Sequence, residues 1–173
     1  MQNSEFLFSM GETMRKPKFE HVFRQGDSDD SLYVLKSGLL KAYYLTLDGK
    51  EFVKSFIMPG SLIGSMTACH AKQSCSFSLR CLQDSELVKI SADQLKQLAL
   101  ENHQVAGFML NGLLELSMKK ERREYEFLCL SPEQRYQLLV EREPQLLEQV
   151  TQNDIARYLG ITPVALSRIK NRQ

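Results

Sequence analysis

This 173-residue chain lacks long apolar runs and any excess of charge of one sign. No stretch approaches the roughly 20 apolar residues that a membrane-crossing helix needs. The opening Met-Gln-Asn-Ser-Glu has neither the basic nor the apolar segment of a secretory leader. The expectation is a cytoplasmic protein with no membrane partner. Lys and Arg number 22 against 21 Asp and Glu, for a net charge of +1. That balance excludes a uniformly basic coat for nucleic acid, so affinity for an anionic partner has to come from local patches. The cysteines Cys69, Cys75, Cys81 and Cys129 contain no Cys-x-x-Cys pair. Zinc frameworks are therefore not suggested, and most of these thiols are expected as small buried apolar groups. No glycine-rich phosphate loop is present, and no spacing assembles a Ser/His/Asp or Cys/His set. His21, His70 and His103 read as isolated residues. No catalytic residue and no metal ligand is assigned, and an enzyme is the least favoured class of function.

The strongest positive signal lies at the C-terminal end. Thr151 stands where it can cap a helix running through Gln152 to Leu159, and Gly160 supplies a left-handed stop. Thr162 then caps a second helix with Pro163 at its first position, where a missing N–H costs nothing. Ile155, Leu159, Ile161, Leu166 and Ile169 fall where two crossing helices touch, and Ala156 is small where the backbones come closest. This pattern predicts a helix-turn-helix. Thr151, Gln152, Thr162, Ala165, Ser167, Arg168, Lys170 and Arg172 are the candidate DNA contacts. From Thr151 onward the bases Arg157, Arg168, Lys170 and Arg172 face the single acid Asp154, a positive island on a near-neutral chain.

Upstream the texture differs. Residues 1 to about 16 predict a short amphipathic helical lead-in around Phe6, Leu7 and Met10. From Lys18 to Ser91, β-rich runs are punctuated by Gln25-Gly26-Asp27, Ser37-Gly38, Asp48-Gly49-Lys50 and Pro59-Gly60-Ser61. Turn signals about 11 or 12 residues apart imply an antiparallel sandwich or roll. Asp48-Gly49 predicts a two-residue hairpin turn. Even spacing puts Leu39, Tyr43, Leu45 and Leu47 on one strand face and Phe52, Lys54 and Phe56 on a face of its partner. A short helix follows over Ala92 to Leu100, then a long one from about Val105 to Leu128. Its stripe includes Phe108 and Leu113 beside Val105, Met109, Gly112 and Leu116, and those last four are the candidate homodimer seam, with Gly112 permitting close approach of a twin. Lys119 to Glu124 is mixed in sign and reads mainly as a solvated face. Ser131-Pro132-Glu133 opens another helix to about Glu141, which Pro144 should break. The fold class is α+β, with a β-roll sensor over 1–100, a dimerisation helix over 101–129 and a helix-turn-helix domain over 130–173.

This order of parts resembles the bacterial Crp/Fnr family of transcription regulators, the catabolite activator protein and its relatives. The motifs that carry the likeness are Phe19-Glu-His-Val-Phe-Arg-Gln-Gly-Asp27, Ser31-Leu-Tyr-Val-Leu-Lys-Ser-Gly38, Leu47-Asp-Gly-Lys50, Pro59-Gly-Ser-Leu-Ile-Gly64 and the span Ile155 to Ile169. The resemblance implies a jelly roll of the cyclic-nucleotide-binding type, a dimer and double-stranded DNA read at two-fold sites. It also implies RNA polymerase as a further partner.

The likeness fails at the ligand cassette. Family members that hold a cyclic nucleotide use Gly-Glu and, about ten residues later, Arg-Ser or Arg-Ala: the Glu takes the ribose hydroxyl and the Arg the phosphate. Here the corresponding pairs are Gly64-Ser65 and Cys75-Ser76, with Met118 and Lys119 on the long helix near where relatives meet the base. Both charged readers are gone, so cyclic AMP is not the expected effector, and the effector is unknown. Oxygen-sensing relatives carry an N-terminal cysteine cluster, whereas the first cysteine here is Cys69, so haem and iron–sulfur sensing are unsupported. Cys69, His70 and Cys75 remain as an alternative metal or thiol sensor. In the recognition helix, Pro163 and Val164 occupy the first turn where many relatives carry polar readers. The β-hairpin wing that often follows this helix is not seen after Gln173, which implies fewer phosphate contacts and weaker or partner-dependent binding. The competing reading is a non-DNA signalling module whose β-roll binds a small molecule or a protein.

Overall fold

The computed structural model describes residues 6–172. The chain divides into two compact units that meet in sequence at Phe108 and Met109. The first holds two antiparallel four-stranded sheets. One runs β1 (Glu12–Lys16), β8 (Ser85–Ser91), β3 (Ser31–Ser37) and β6 (Leu62–Ile63). The other runs β2 (His21–Phe23), β7 (Ser78–Cys81), β4 (Leu40–Leu45) and β5 (Glu51–Ile57). Phe23, Leu40, Ala42 and Leu79 of one sheet meet Tyr33, Leu35 and Leu87 of the other in a common core. Burial of these apolar side chains is the main term holding the roll closed.

The expected turns at Gly26, Gly38, Gly49 and Gly60 all carry positive φ. The Asp48-Gly49 hairpin is longer than the two-residue turn expected of it. The Gly49 N–H donates to Thr46 O at 2.9 Å, and Thr46 N–H to Lys50 O at 2.9 Å. Gly49 alone is left-handed, which makes a three-residue loop. The strand faces also differ from the sequence reading. Leu39 and Tyr43 are buried, but so are Leu40, Ala42 and Lys41, while Leu45 and Leu47 are exposed. On β5 the core takes Val53 and Ile57, and Phe52 is exposed. The register shifts where Ala42 pairs with Ser55 but Tyr43 with Val53, which makes Lys54 the extra residue on β5, while Val53 and Ile57 stay on the core face on either side of it.

The helical lead-in is also corrected. Residues 6–8 form a helical turn with Leu7 buried, but Glu12–Lys16 is the strand β1, paired from Glu12↔Lys89 to Lys16↔Ser85. Residues 1–5 of that expectation lie outside the described residues. A short helix, α1 (Met66–Ala71), interrupts the strands, and α2 (Ala92–Glu101) follows them with Ser91 accepting from Gln94 N–H.

The long helix α3 (His103–Cys129) continues into the second unit. There α4 (Pro132–Arg142) opens with a capping box in which Ser131 and Gln134 satisfy each other's backbone N–H groups. Pro144 does not merely break the chain, as expected, but starts α5 (Pro144–Gln149), because a fixed φ suits a first helical position. Last come α6 (Gln152–Leu159) and α7 (Pro163–Lys170).

Candidate nucleic-acid interface and ligand cassette

The helix-turn-helix forms from local chemistry. Thr151 Oγ1 accepts the Asp154 N–H at 3.1 Å and donates to the Asp154 carboxylate at 2.7 Å. At the other end of α6, Gly160 adopts φ 70° and ψ 30°, and the Ala156 carbonyl accepts from both Gly160 and Ile161 N–H. Thr162 Oγ1 accepts the Ala165 N–H at 3.2 Å, with Pro163 next. Ile155, Ala156, Leu159, Leu166 and Ile169 are all buried, as the spacing predicts.

Thr151, Gln152, Thr162, Ser167, Arg168, Lys170 and Arg172 are exposed. Ala165 is only half-buried rather than fully outward, because it lies 100° around the helix from the buried Leu166, toward Ile169. The residue that the sequence reading left out of this face is Val164. At 61% exposure it sits opposite the core, one turn before Arg168.

A second omission is the arginine cluster behind α6. Arg123 Nη2 donates to Tyr158 O at 2.9 Å, and Arg135 Nη2 to Leu159 O at 3.1 Å, so two cations meet the last carbonyls of α6, where the helix dipole is negative. The Phe127 ring lies 4.7 Å from the Arg123 guanidinium and 4.6 Å from that of Arg135, and Arg123 also stacks on Tyr158 at 4.1 Å. Burial draws Arg123 below its usual value and pushes the Tyr158 hydroxyl up. Arg123 thus departs from the solvated face read over Lys119 to Glu124. The signal that could have found it is Phe127, four residues on.

In the first unit, the structure brings together Gly64, Ser65, Cys75 and Ser76. Ser65 is wholly buried, and its hydroxyl accepts the Ser76 N–H at 3.1 Å and bonds Thr67 Oγ1 at 2.9 Å. The Cys75 thiol donates to Asp29 O at 3.3 Å, and the Cys75 N–H to Asp27 O at 2.8 Å. The cation of this segment, Lys72, is held by Asp30 at 2.9 Å and Asp93 at 2.8 Å. No charged side chain stands at the two reader positions. Cys69 and Cys75 are buried beside an exposed His70, and burial pushes the Cys69 thiol up to about 11 and raises Cys75. Burial thus disfavours the thiolate form of both. Among the described residues no three His, Cys, Asp or Glu side chains are placed to hold a metal ion. Cys81 is buried and Cys129 exposed. Met118 and Lys119 are exposed on α3 in the second unit.

The proposed dimer seam needs one correction. Val105, at 4% exposure, is buried within the monomer and leaves nothing for a partner. Met109 and Leu116 are half-buried and Gly112 is open, with no atom within 4 Å of a Cβ built there. Around it the exposed apolar side chains of α3 are Leu110, Leu113, Leu114 and Met118, and Tyr125, Phe127 and Leu128 are exposed further along the same helix. Among the described residues no helix is long and apolar enough to cross a membrane.

The cyclic nucleotide-binding domain matches residues 13–102. The regulatory protein HlyX of Actinobacillus pleuropneumoniae is 30% identical over 172 residues, covering 91% of this chain and 70% of that protein. The transcriptional activator protein Anr of Pseudomonas protegens is 26% identical over 177 residues, covering 96% of this chain and 71% of that protein. In fold, the solved structure of FixK2 from Bradyrhizobium japonicum superposes with a TM-score of 0.81 at 18% identity, covering 94% of this chain and 84% of that one. With that domain across more than half its length, and that degree of likeness to HlyX across most of it, the chain belongs to the Crp/Fnr family of transcription regulators.

Proposed function

We propose that this regulator works as a homodimer that reads inverted-repeat DNA through α7 and answers to an effector other than cyclic AMP. Residues 1–100 would be the sensor, 101–129 the dimerisation helix and 130–173 the reading domain, with RNA polymerase as the downstream partner. The observation that carries the reading is the outward face of α7. Ser167, Arg168 and Lys170 are exposed and net basic on a helix whose other face is fixed by Leu166 and Ile169, and Arg172 is exposed just beyond its end.

Two further features support it. Leu110, Leu113, Leu114 and Met118 crowd about two turns of α3 with exposed apolar surface, beside the open Gly112. In the cassette, a phosphate would meet the Ser65 hydroxyl and the Cys75 thiol in place of a guanidinium, while Lys72 is engaged by two carboxylates.

The test is binding-site selection with the full chain, followed by fluorescence anisotropy on the selected duplex at two salt concentrations. Half-sites about 10 to 10.5 base pairs apart, or a whole multiple, are expected. Arg168→Ala should weaken binding by about 1 to 3 kcal/mol and relax preference at one position per half-site. Indifference of the wild type to every fragment would transfer the function to the β-roll.

A further inference from the structure

We propose that Val164 is a specificity residue that reads the C5-methyl group of a thymine, so that the half-site holds a methyl-bearing pyrimidine about two base pairs from the base pair facing Arg168. The inference rests on the DNA reading above and deepens it.

The first turn of α7 holds no acidic residue, and the acid nearest in sequence, Asp154 on α6, is buried and bonded by Thr151. A carboxylate is the side chain that accepts from the cytosine N4 amine, so this face has no reader of that kind. Pro163 has no N–H, and the Thr162 hydroxyl is engaged by the Ala165 N–H. The outward-pointing positions, opposite Leu166 and Ile169, are Val164, Ser167, Arg168 and Asn171. Val164 is an apolar projection at 61% exposure at the N-terminal end of the helix, the end that meets base edges in this class of motif. The major-groove edges of the four base pairs present one apolar group, the thymine methyl. An isopropyl side chain directed there has that one partner of matching chemistry.

The spacing follows from the helix. Val164 and Arg168 are four residues apart on one face, roughly 6 Å along the axis at a rise of about 1.5 Å per residue. Base pairs stack about 3.4 Å apart, so the two side chains face positions about two steps apart.

The experiment uses the full chain and the duplex selected by it. Each thymine of the half-site is replaced in turn by deoxyuridine, which removes the methyl and leaves the hydrogen-bonding edge unchanged. One position should lose about fourfold in affinity per half-site, the factor that burial of one methyl-sized group is worth. Substitution of both half-sites should approach 15-fold. The loss should vanish in Val164→Ala, which is exposed and leaves the caps and core of α7 intact. Replacing the same thymine by cytosine should weaken binding, and 5-methylcytosine there should recover about the same factor. Val164→Glu should shift preference at this position from thymine to cytosine. The inference is overturned if no deoxyuridine position weakens the wild type, or if Val164→Ala keeps the methyl dependence. Failure of the wild type to bind any selected duplex would instead overturn the DNA reading beneath it.

Discussion

Gly160→Ala should be among the most damaging small substitutions in the second unit, and its cost can be worked from two independent terms. Gly160 sits at φ +70°, where an L side chain costs roughly 1–2 kcal/mol. A Cβ there would lie 2.9 Å from Phe127 Cε1, inside normal contact, so the ring has to move. The ring is not free to do so, because the guanidiniums of Arg123 and Arg135 lie 4.7 and 4.6 Å from its centre. Forcing it off its rotamer costs about 0.5–1.5 kcal/mol, and weakening two stacked cations about as much again. The sum is about 2–5 kcal/mol. At about 4–8 °C per kcal/mol for a unit of this size, Tm falls by roughly 10–40 °C, read by circular dichroism or calorimetry of the full chain. A double-mutant cycle with Phe127→Leu separates the terms. The backbone cost should persist in that background and the ring cost disappear, giving a coupling of about 1–3 kcal/mol. A Gly160→Ala protein within about 0.5 kcal/mol of wild type would refute the backbone argument, and zero coupling would refute the role of the ring.

Leu114→Glu, at a side chain 51% exposed on α3, should leave the fold intact and give a monomer by sedimentation velocity; an unchanged dimer would place the interface elsewhere. Cyclic AMP should produce no saturable heat in calorimetry at micromolar to sub-millimolar ligand, and low-micromolar binding would show that another cation replaces the missing arginine. His21 is drawn below its usual 6.5 by burial, then by Arg24 and Arg80, while its ring bonds Tyr43 Oη at 2.8 Å. Because the folded value is the lower one, the unfolded chain takes up this proton first, so the contribution of His21 is complete above pH 6.5 and is lost as pH falls through the folded value. The difference in urea midpoint between wild type and His21→Gln should therefore shrink from pH 7.5 to 5.5, and a constant difference would contradict the burial argument.

What was legible in the sequence was what local chemistry decides. Caps at Thr151 and Thr162, a left-handed Gly160 and a core at Ile155, Leu159, Leu166 and Ile169 all lie within twenty residues of one another, and all are found as read. The turn glycines of the roll were legible for the same reason. The faces of β4 and β5 were not, because nothing local announces the register shift that pairs Ala42 with Ser55 but Tyr43 with Val53, and which side chains meet the core depends on tertiary partners. Val105 follows the stripe of α3 perfectly well, but whether a stripe residue is buried in its own unit depends on tertiary partners that periodicity does not carry. The clamp on α6 joins Arg123 to Tyr158 across 35 positions and Arg135 to Leu159 across 24; the spacing of Arg123 and Phe127 can suggest a stacked pair, but not the distant helix end that it clamps. Around the cassette, the sequence showed the loss of two charges. It did not show that the Ser65 hydroxyl bonds Thr67 and the Ser76 N–H, or that the Cys75 thiol donates to the Asp29 carbonyl.

The division of labour within α7 bears on how such a protein changes over generations. Its end is capped by Thr162 and its inner side anchored by Leu166 and Ile169, while Val164, Ser167 and Arg168 contribute to neither. Substitutions at exposed positions of that kind alter stability by about 0.5 kcal/mol or less. A lineage can therefore reassign its regulator to new promoters one letter at a time without passing through unfolded ancestors, and duplicated copies should diverge in address well before they diverge in architecture.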